Sequence, residues 1–293
     1  MNKSSKSKND KSKQLSRDTV CTCQECNHGM ARDCMKIKCM CCNEASHSMI
    51  LDGIVGFANI SKRHGHYTEV RSVLISTDSV KLYGDLTIPE KAEGIVLFAH
   101  GSGSSRHSPR NKYVAQVLQK KGLATLLIDL LKEEEEKVDE YTAHLRFDIG
   151  LLAKRLVDAT NWITKNPDTK NLSIGYFGAS TGAAAALIAA VDCPDIIKSI
   201  VSRGGRPDLA GSLLPRVRAP TLLIVGGNDS QVIEMNEEAL NLLKIEKNLV
   251  IVPSATHLFE EPGTLEEVAR LAADWFVNHL SKTKNQTKSG KGD

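Results

Sequence analysis

Residues 172–191, LSIGYFGASTGAAAALIAAV, restrict the possible folds more than any other stretch of this chain. An apolar run containing Ile174, Tyr176 and Phe177 passes through Gly178-Ala179-Ser180-Thr181-Gly182 into a run of alanines. The pattern predicts a buried strand, a tight corner and a helix with no loop between them. Such a corner lifts a serine hydroxyl clear of the sheet. Gly178 and Gly182 fall where a β-carbon would collide with the turn backbone. Thr181 opens the helix, so its N–H lacks an intrahelical acceptor and points into the space beside the serine oxygen. A G-x-S-x-G match alone carries little, because any glycine-rich loop can produce one. The strand before it and the helix after it give it meaning.

The surrounding pattern extends the same architecture. Residues 67–76 and 80–88 alternate apolar and polar positions around Thr77-Asp78-Ser79, which predicts a β-hairpin. Strands and helices then alternate, the signature of a parallel sheet covered on both faces. Residues 95–99 (IVLFA) are continuously apolar, as burial on both faces requires. A helix is expected over 111–121, a strand over 124–130, and a solvated acidic loop at Glu133–Glu136. A long helix over 141–164 and strands at 197–201, 221–225 and 249–252 complete the order. The last helix is expected to open on Thr264 and Glu267 as a T-x-x-E capping box. This is an α/β fold whose mostly parallel sheet has about eight strands with a leading hairpin. Only about fifteen residues separate Gly205 from the strand at Thr221, which leaves no room for a large cap domain.

Composition sets the remaining bounds. The 293 residues carry a net charge of only +3, with 41% hydrophobic and 25% charged residues, as in ordinary globular proteins. Residues 1–20 and 282–293 are Lys/Ser-rich and too polar to bury a core, so they read as disordered tails rather than nucleic-acid contacts. No apolar run approaches the ~20 residues of a membrane span, and the lysine-rich N-terminus lacks the apolar core of a secretory signal. The expected compartment is the cytoplasm. Seven of the eight cysteines fall between Cys21 and Cys42, defining a cysteine-rich module over residues 21–60, joined by a polar linker at 61–66 to a main domain over 67–281. Thiolates with a nearby histidine suit tetrahedral zinc, and Cys23, Cys26, Cys39 and Cys42 are the candidate ligands of a structural zinc. A reduced, unliganded cluster or a redox role fits the same residues.

A serine hydroxyl needs a base within reach, and that base needs a carboxylate to fix its tautomer. In an open α/β sheet both come from loops at the carboxyl ends of strands. Asp229 follows TLLIV through Gly226-Gly227-Asn228, and His257 follows LVIVPSAT. The order Ser180, Asp229, His257 is that of serine nucleophiles on such sheets. Asp208 is the rival acid, and His100 or His107 the rival base. The loop after IVLFA, His100-Gly101-Ser102-Gly103-Ser104, supplies the second oxyanion donor. Ser102 N–H is the candidate partner of Thr181 N–H, with Gly101 beside it. Losing one such donor typically costs about 3 kcal/mol of transition-state stabilisation. Arg106, Arg110, Arg203 and Arg206 gather at the same edge. Arg106 and Arg203 are candidates for binding an anionic group of the substrate, while pairing with Asp129 or Asp208 would occupy such arginines instead.

From about Val70 to Leu280 the chain resembles an α/β-hydrolase of the dienelactone-hydrolase-like group. The resemblance rests on FAHGSGSSRHSPRN, GYFGASTGAAAAL, SRGGRPDLA, LLIVGGND and THLFEEPGTLEEVARLAADWF. It implies a Ser180–His257–Asp229 triad and an oxyanion hole beside Gly101 and Ser102. Similar domains occur alone or fused to phosphoribosyltransferase domains. Dienelactone hydrolases carry a cysteine nucleophile where Ser180 stands here, so dienelactone itself is not the expected substrate. The cysteine-rich segment lies outside the resemblance.

The expected activity is hydrolysis of a small-molecule carboxylic ester or thioester through an acyl-enzyme, needing neither metal nor organic cofactor for catalysis. Without a cap the site should be open, favouring small acyl groups or acyl chains on large carriers. Two alternatives share the sequence: an acyltransferase with the same triad, and a non-catalytic adaptor whose N-terminal module binds metal. Neither membrane nor nucleic acid is an expected partner, and the pattern specifies no oligomer.

Overall fold

A computed structural model describes residues 69–76 and 80–281. The sheet contains β1 (Val70–Ser76), β2 (Lys81–Thr87), β3 (Gly94–Ala99), β4 (Ala124–Ile128), β5 (Ser173–Ala179), β6 (Ile197–Arg203), β7 (Thr221–Gly226) and β8 (Lys247–Val252). Their spatial order is β1-β2-β4-β3-β5-β6-β7-β8. β1 pairs antiparallel with β2, and β2 antiparallel with β4; every other pairing is parallel. Thr77, Asp78 and Ser79, the expected hairpin turn, lie outside the described residues, as do the tails and the cysteine-rich module. Among the described residues no helix is long and apolar enough to cross a membrane.

The continuous apolar runs are divided between two cores by the period of two along each strand. Ile95, Leu97, Ile174, Tyr176 and Ile200 point to one face of the sheet. Val96, Phe98, Phe177, Val201 and Ile224 point to the other. The first face is covered by α3 (Ile149–Lys165) and α4 (Thr181–Asp192), whose Leu152, Leu156, Ala185 and Leu187 join that core. The second is covered by α1 (Pro109–Lys120) and α6 (Thr264–Leu280), through Val114, Leu118, Val268, Ala272, Phe276 and Leu280. Ala183 to Ala186 are completely buried. Their small side chains let α4 lie close on the sheet directly behind Ser180.

Three local expectations need correcting. The four glutamates at 133–136 open a helix, α2 (Glu133–Thr142). Negative charge in a first turn is stabilised by the unpaired N–H groups there, and the Glu135 carboxylate accepts the Lys132 N–H at 2.9 Å. The helix expected over 141–164 begins only at Ile149, after a single 3₁₀ turn at Leu145–Phe147, because the Asp148 side chain caps it by accepting the Leu151 N–H. The T-x-x-E box does not form. Gly263, at φ 83°, occupies the N-cap of α6, the Thr264 hydroxyl donates to the Glu261 carbonyl, and Glu267 pairs with Arg270. A further helix, α5 (Ser230–Leu242), joins β7 to β8. Between β6 and β7 lies only a 3₁₀ segment, Pro207–Arg216, so no cap domain is inserted at that connection.

Candidate active site

Ser180 adopts φ 50° and ψ −123°, a conformation that side-chain-bearing residues rarely occupy. Its neighbours hold it there. A β-carbon on Gly178 would lie 2.4 Å from the Ala183 Cα, and one on Gly182 2.3 Å from the Ala99 carbonyl oxygen. Both approaches are impossible for any other residue, so both glycines of the corner are needed for β5 to turn directly into α4. The Ser180 N–H donates to the Arg203 carbonyl at 3.3 Å, and the Ser180 carbonyl accepts the Arg206 N–H at 3.1 Å. Thr181 is the first residue of α4, where an N–H has no intrahelical acceptor.

Asp229 and His257 are brought together by loops that are bonded to each other. The Gly227 N–H donates to Val252, the Asn228 N–H to Ala255, and the Asn228 side-chain amide to Ser254. The Asp229 carboxylate caps no N–H of α5. It instead meets His257 Nδ1 at 2.7 Å. The carboxylate accepts the Nδ1 proton, so in the neutral ring it is Nε2 that carries the lone pair, the tautomer a general base must have. The imidazole lies over the chain next to Ser180: a β-carbon on Gly204 would be 3.6 Å from His257 Cε1. Asp208, the rival acid, is held by Arg206 through two hydrogen bonds of 2.9 and 2.8 Å.

The loop after β3 packs on the corner. A β-carbon on Gly101 would touch the Ser180 Cβ at 3.0 Å, and the Ser102 N–H donates to the Thr181 hydroxyl at 3.0 Å. Gly101, Ser102, Ser180 and Thr181 thus meet at one point. His100, the rival base, is buried and fully engaged. The Leu130 N–H donates to its Nε2 at 3.0 Å, so Nδ1 carries the proton and donates to the Gly101 carbonyl at 3.0 Å. Burial pushes its pKa down, outweighing the Gly101 carbonyl and Asp129, which pull the other way. A proton on Nε2 would face the Leu130 N–H and break the brace on this loop. Because the folded value lies below the usual one of about 6.5, stability from this group is complete above that pH. It is lost as pH falls from there toward the folded value. Thermal melts between pH 8 and 5 should show this loss, and an H100Q variant should lose that part of the dependence.

Beside Gly101–Ser105 opens a cleft of about 390 Å³, walled by Leu131, Glu136, Asp139, Glu140, Arg146 and Leu152. Its wall is α2, and Asp139 anchors it by accepting the Leu145 N–H at 2.6 Å and Arg146 Nε at 2.5 Å. The Glu136 carboxyl is held above its ordinary range, chiefly by burial and then by Asp129 and Glu140. This wall is absent from the sequence expectations because its glutamates resemble a solvated loop. The wall comes from the connection between β4 and α3, not from the short one between β6 and β7.

The four arginines at this edge divide sharply. Arg106 is neutralised by Asp129, through both backbone and guanidinium, with Asp85 3.6 Å from its Nε. Arg206 is paired with Asp208. Arg110 reaches an exposed carboxylate, Glu260, at 3.1 Å. Arg203 is buried and meets the Asn111 side-chain oxygen at 3.3 Å, with its guanidinium over the Phe259 ring at 5.9 Å. Asn111 and Phe259 carry no sequence signal of this role, being 92 and 56 positions from Arg203. The proposed zinc ligands Cys23, Cys26, Cys39 and Cys42 lie outside the described residues; among the described residues no cluster of His, Cys, Asp and Glu could hold a metal ion.

Comparison with known proteins follows the same outline. Residues 82–283 match the model of the dienelactone hydrolase family. A solved dienelactone hydrolase from Anabaena variabilis is 64% identical, covering 74% of this chain and all of that one, with a TM-score of 0.73. Est1E from Butyrivibrio proteoclasticus shares the fold at 17% identity, over 71% of this chain and 98% of that one, with a TM-score of 0.59. A Mycobacterium tuberculosis protein provisionally named a phosphoribosyl transferase is 59% identical over 208 residues, 71% of this chain. The chain spans about half the length, 46%, of that relative.

Proposed function

The chain belongs to the dienelactone hydrolase family, and on that premise we propose that it is a serine hydrolase of carboxylic ester or thioester bonds. The observation that carries the proposal is the 2.7 Å contact between Asp229 and His257 Nδ1, at the strand edge where Ser180 is held at positive φ. In the proposed reaction His257 Nε2 takes the Ser180 proton as Oγ attacks the acyl carbon. The oxyanion is held by the Thr181 N–H and the amides of the Gly101–Ser102 loop, where the Ser102 N–H exchanges the Thr181 hydroxyl for the substrate oxygen. The leaving alcohol or thiol receives the proton from His257, and water then releases the acyl group by the same steps. The cleft beside Gly101–Ser105 receives a small acyl or alcohol portion.

The name of the mycobacterial relative belongs to a protein of which this chain covers under half, so the proposal rests on the family and the site. A fluorophosphonate probe tests it. Labelling of the full chain, with the adduct mapped to Ser180 by peptide mass spectrometry and competed by ester substrates, is the expected result. An unlabelled, folded protein would refute the proposal.

A further inference from the structure

The Thr181 hydroxyl carries an unspent proton. Thr181 is buried, and its Oγ1 accepts the Ser102 N–H at 3.0 Å; among the described residues that hydroxyl donates to nothing. A helical threonine can donate to the carbonyl three or four positions back. Thr181 is the first residue of α4, so those positions are Phe177 and Gly178 of β5, which pair instead with β3 and β6. A buried donor without an acceptor is costly, and this one lies where Gly101, Ser102, Ser180 and Thr181 meet.

The geometry leaves a place for the missing acceptor. Two atoms 3.0 Å apart, such as Thr181 Oγ1 and the Ser102 nitrogen, admit an oxygen at about 2.8 Å from both. The backbone fixes that spacing: a β-carbon on Gly182 would lie 2.3 Å from the Ala99 carbonyl oxygen and 2.5 Å from that of His100. We propose that the Thr181 hydroxyl is a third donor of the oxyanion hole, a side-chain group added to the backbone amides of the proposed reaction. As Ser180 Oγ attacks, the Ser102 N–H turns from Thr181 Oγ1 to the substrate oxygen, and the Thr181 O–H turns to the same atom. At rest the hydroxyl oxygen stands in for the substrate's, so the donors need no rearrangement beyond that exchange. The inference rests on the hydrolase reading.

The experiment uses the full-length chain with 4-nitrophenyl butyrate and an alkyl trifluoromethyl ketone labelled with ¹³C at the carbonyl. On the ketone, Ser180 Oγ bonds to the carbonyl carbon, the π pair becomes the oxyanion and the serine proton goes to His257. T181V should lower kcat about 100-fold with little change in KM, and T181S, which restores the hydroxyl, should recover most of the loss. The hemiketal should ionise about two pH units higher in T181V, the same hundredfold read as an equilibrium. In both adducts the Ser102 amide should stay protected from hydrogen exchange. If T181V does not fold, T181A removes the same proton and should show the same losses.

A kcat within threefold of the wild type, or an unchanged hemiketal ionisation, overturns the proposal. So does loss of Ser102 amide protection in the T181V adduct, which would make Thr181 a mere brace for that loop. If the wild type forms the adduct and cleaves the ester, any of these results sinks the third donor alone. If it does neither, the hydrolase reading fails and the third donor falls with it.

Discussion

Replacement of Ser180 by alanine should lower kcat on any ester substrate by about 10⁶-fold, the loss found when a triad serine is removed on other folds. The expectation follows from the local geometry. The hydroxyl is held at φ 50° by two glycines that cannot be replaced without collision, and among the described residues no cysteine stands nearby to substitute, since Cys193 is at the far end of α4. Alanine keeps the backbone and the donors beside it, so the variant should fold, bind substrate and retain only the slow water reaction assisted by those donors. Steady-state kinetics beside circular dichroism would check it. Activity within tenfold of the wild type, in a protein with the same melting curve, would mean that the nucleophile lies elsewhere.

Asp229→Asn should cost about 10⁴-fold in kcat while changing KM little. The substitution keeps size and replaces an acceptor-only carboxylate by an amide that can present its NH₂ to Nδ1, which favours the tautomer with the proton on Nε2. A base so protonated cannot receive the serine proton. Asp208→Asn is the matched control: its carboxylate is spent on Arg206, so its activity should stay within a few-fold of the wild type. The order of the two variants measures which acid serves His257. A larger loss in D208N than in D229N would reverse the assignment.

The features legible in the sequence are those carried by contiguous residues. Ser180, Asp229 and His257 each follow a run of apolar strand residues at a short distance; β3, β4, β5 and β7 appear as such runs because both faces of the sheet are covered there, while β1 and β2 show themselves by alternation. What escaped is set by charge and by distance along the chain. Glu133 to Glu136 look like a solvated loop until the sign of a helix N-terminus is considered. Thr264 and Glu267 have the spacing of a capping box, but a left-handed Gly263 takes the cap position first. The gathering of arginines is visible in the sequence. The lack of a counter-charge on only one of them is not, because it depends on Asp129 reaching Arg106 from β4 and on Asn111 reaching Arg203 from α1.

The acidic helix α2 departs from the sheet after β4 and rejoins it at the Asp148 cap of α3, so its length and charge can change without altering the spacing of any strand. The mouth of the groove is in that sense a detachable fitting on a rigid frame. In the proposed reaction, chemistry and selectivity would be under separate constraints: a change in this one surface segment would alter what the cleft accepts, while the corner that presents the hydroxyl stays fixed by backbone collisions.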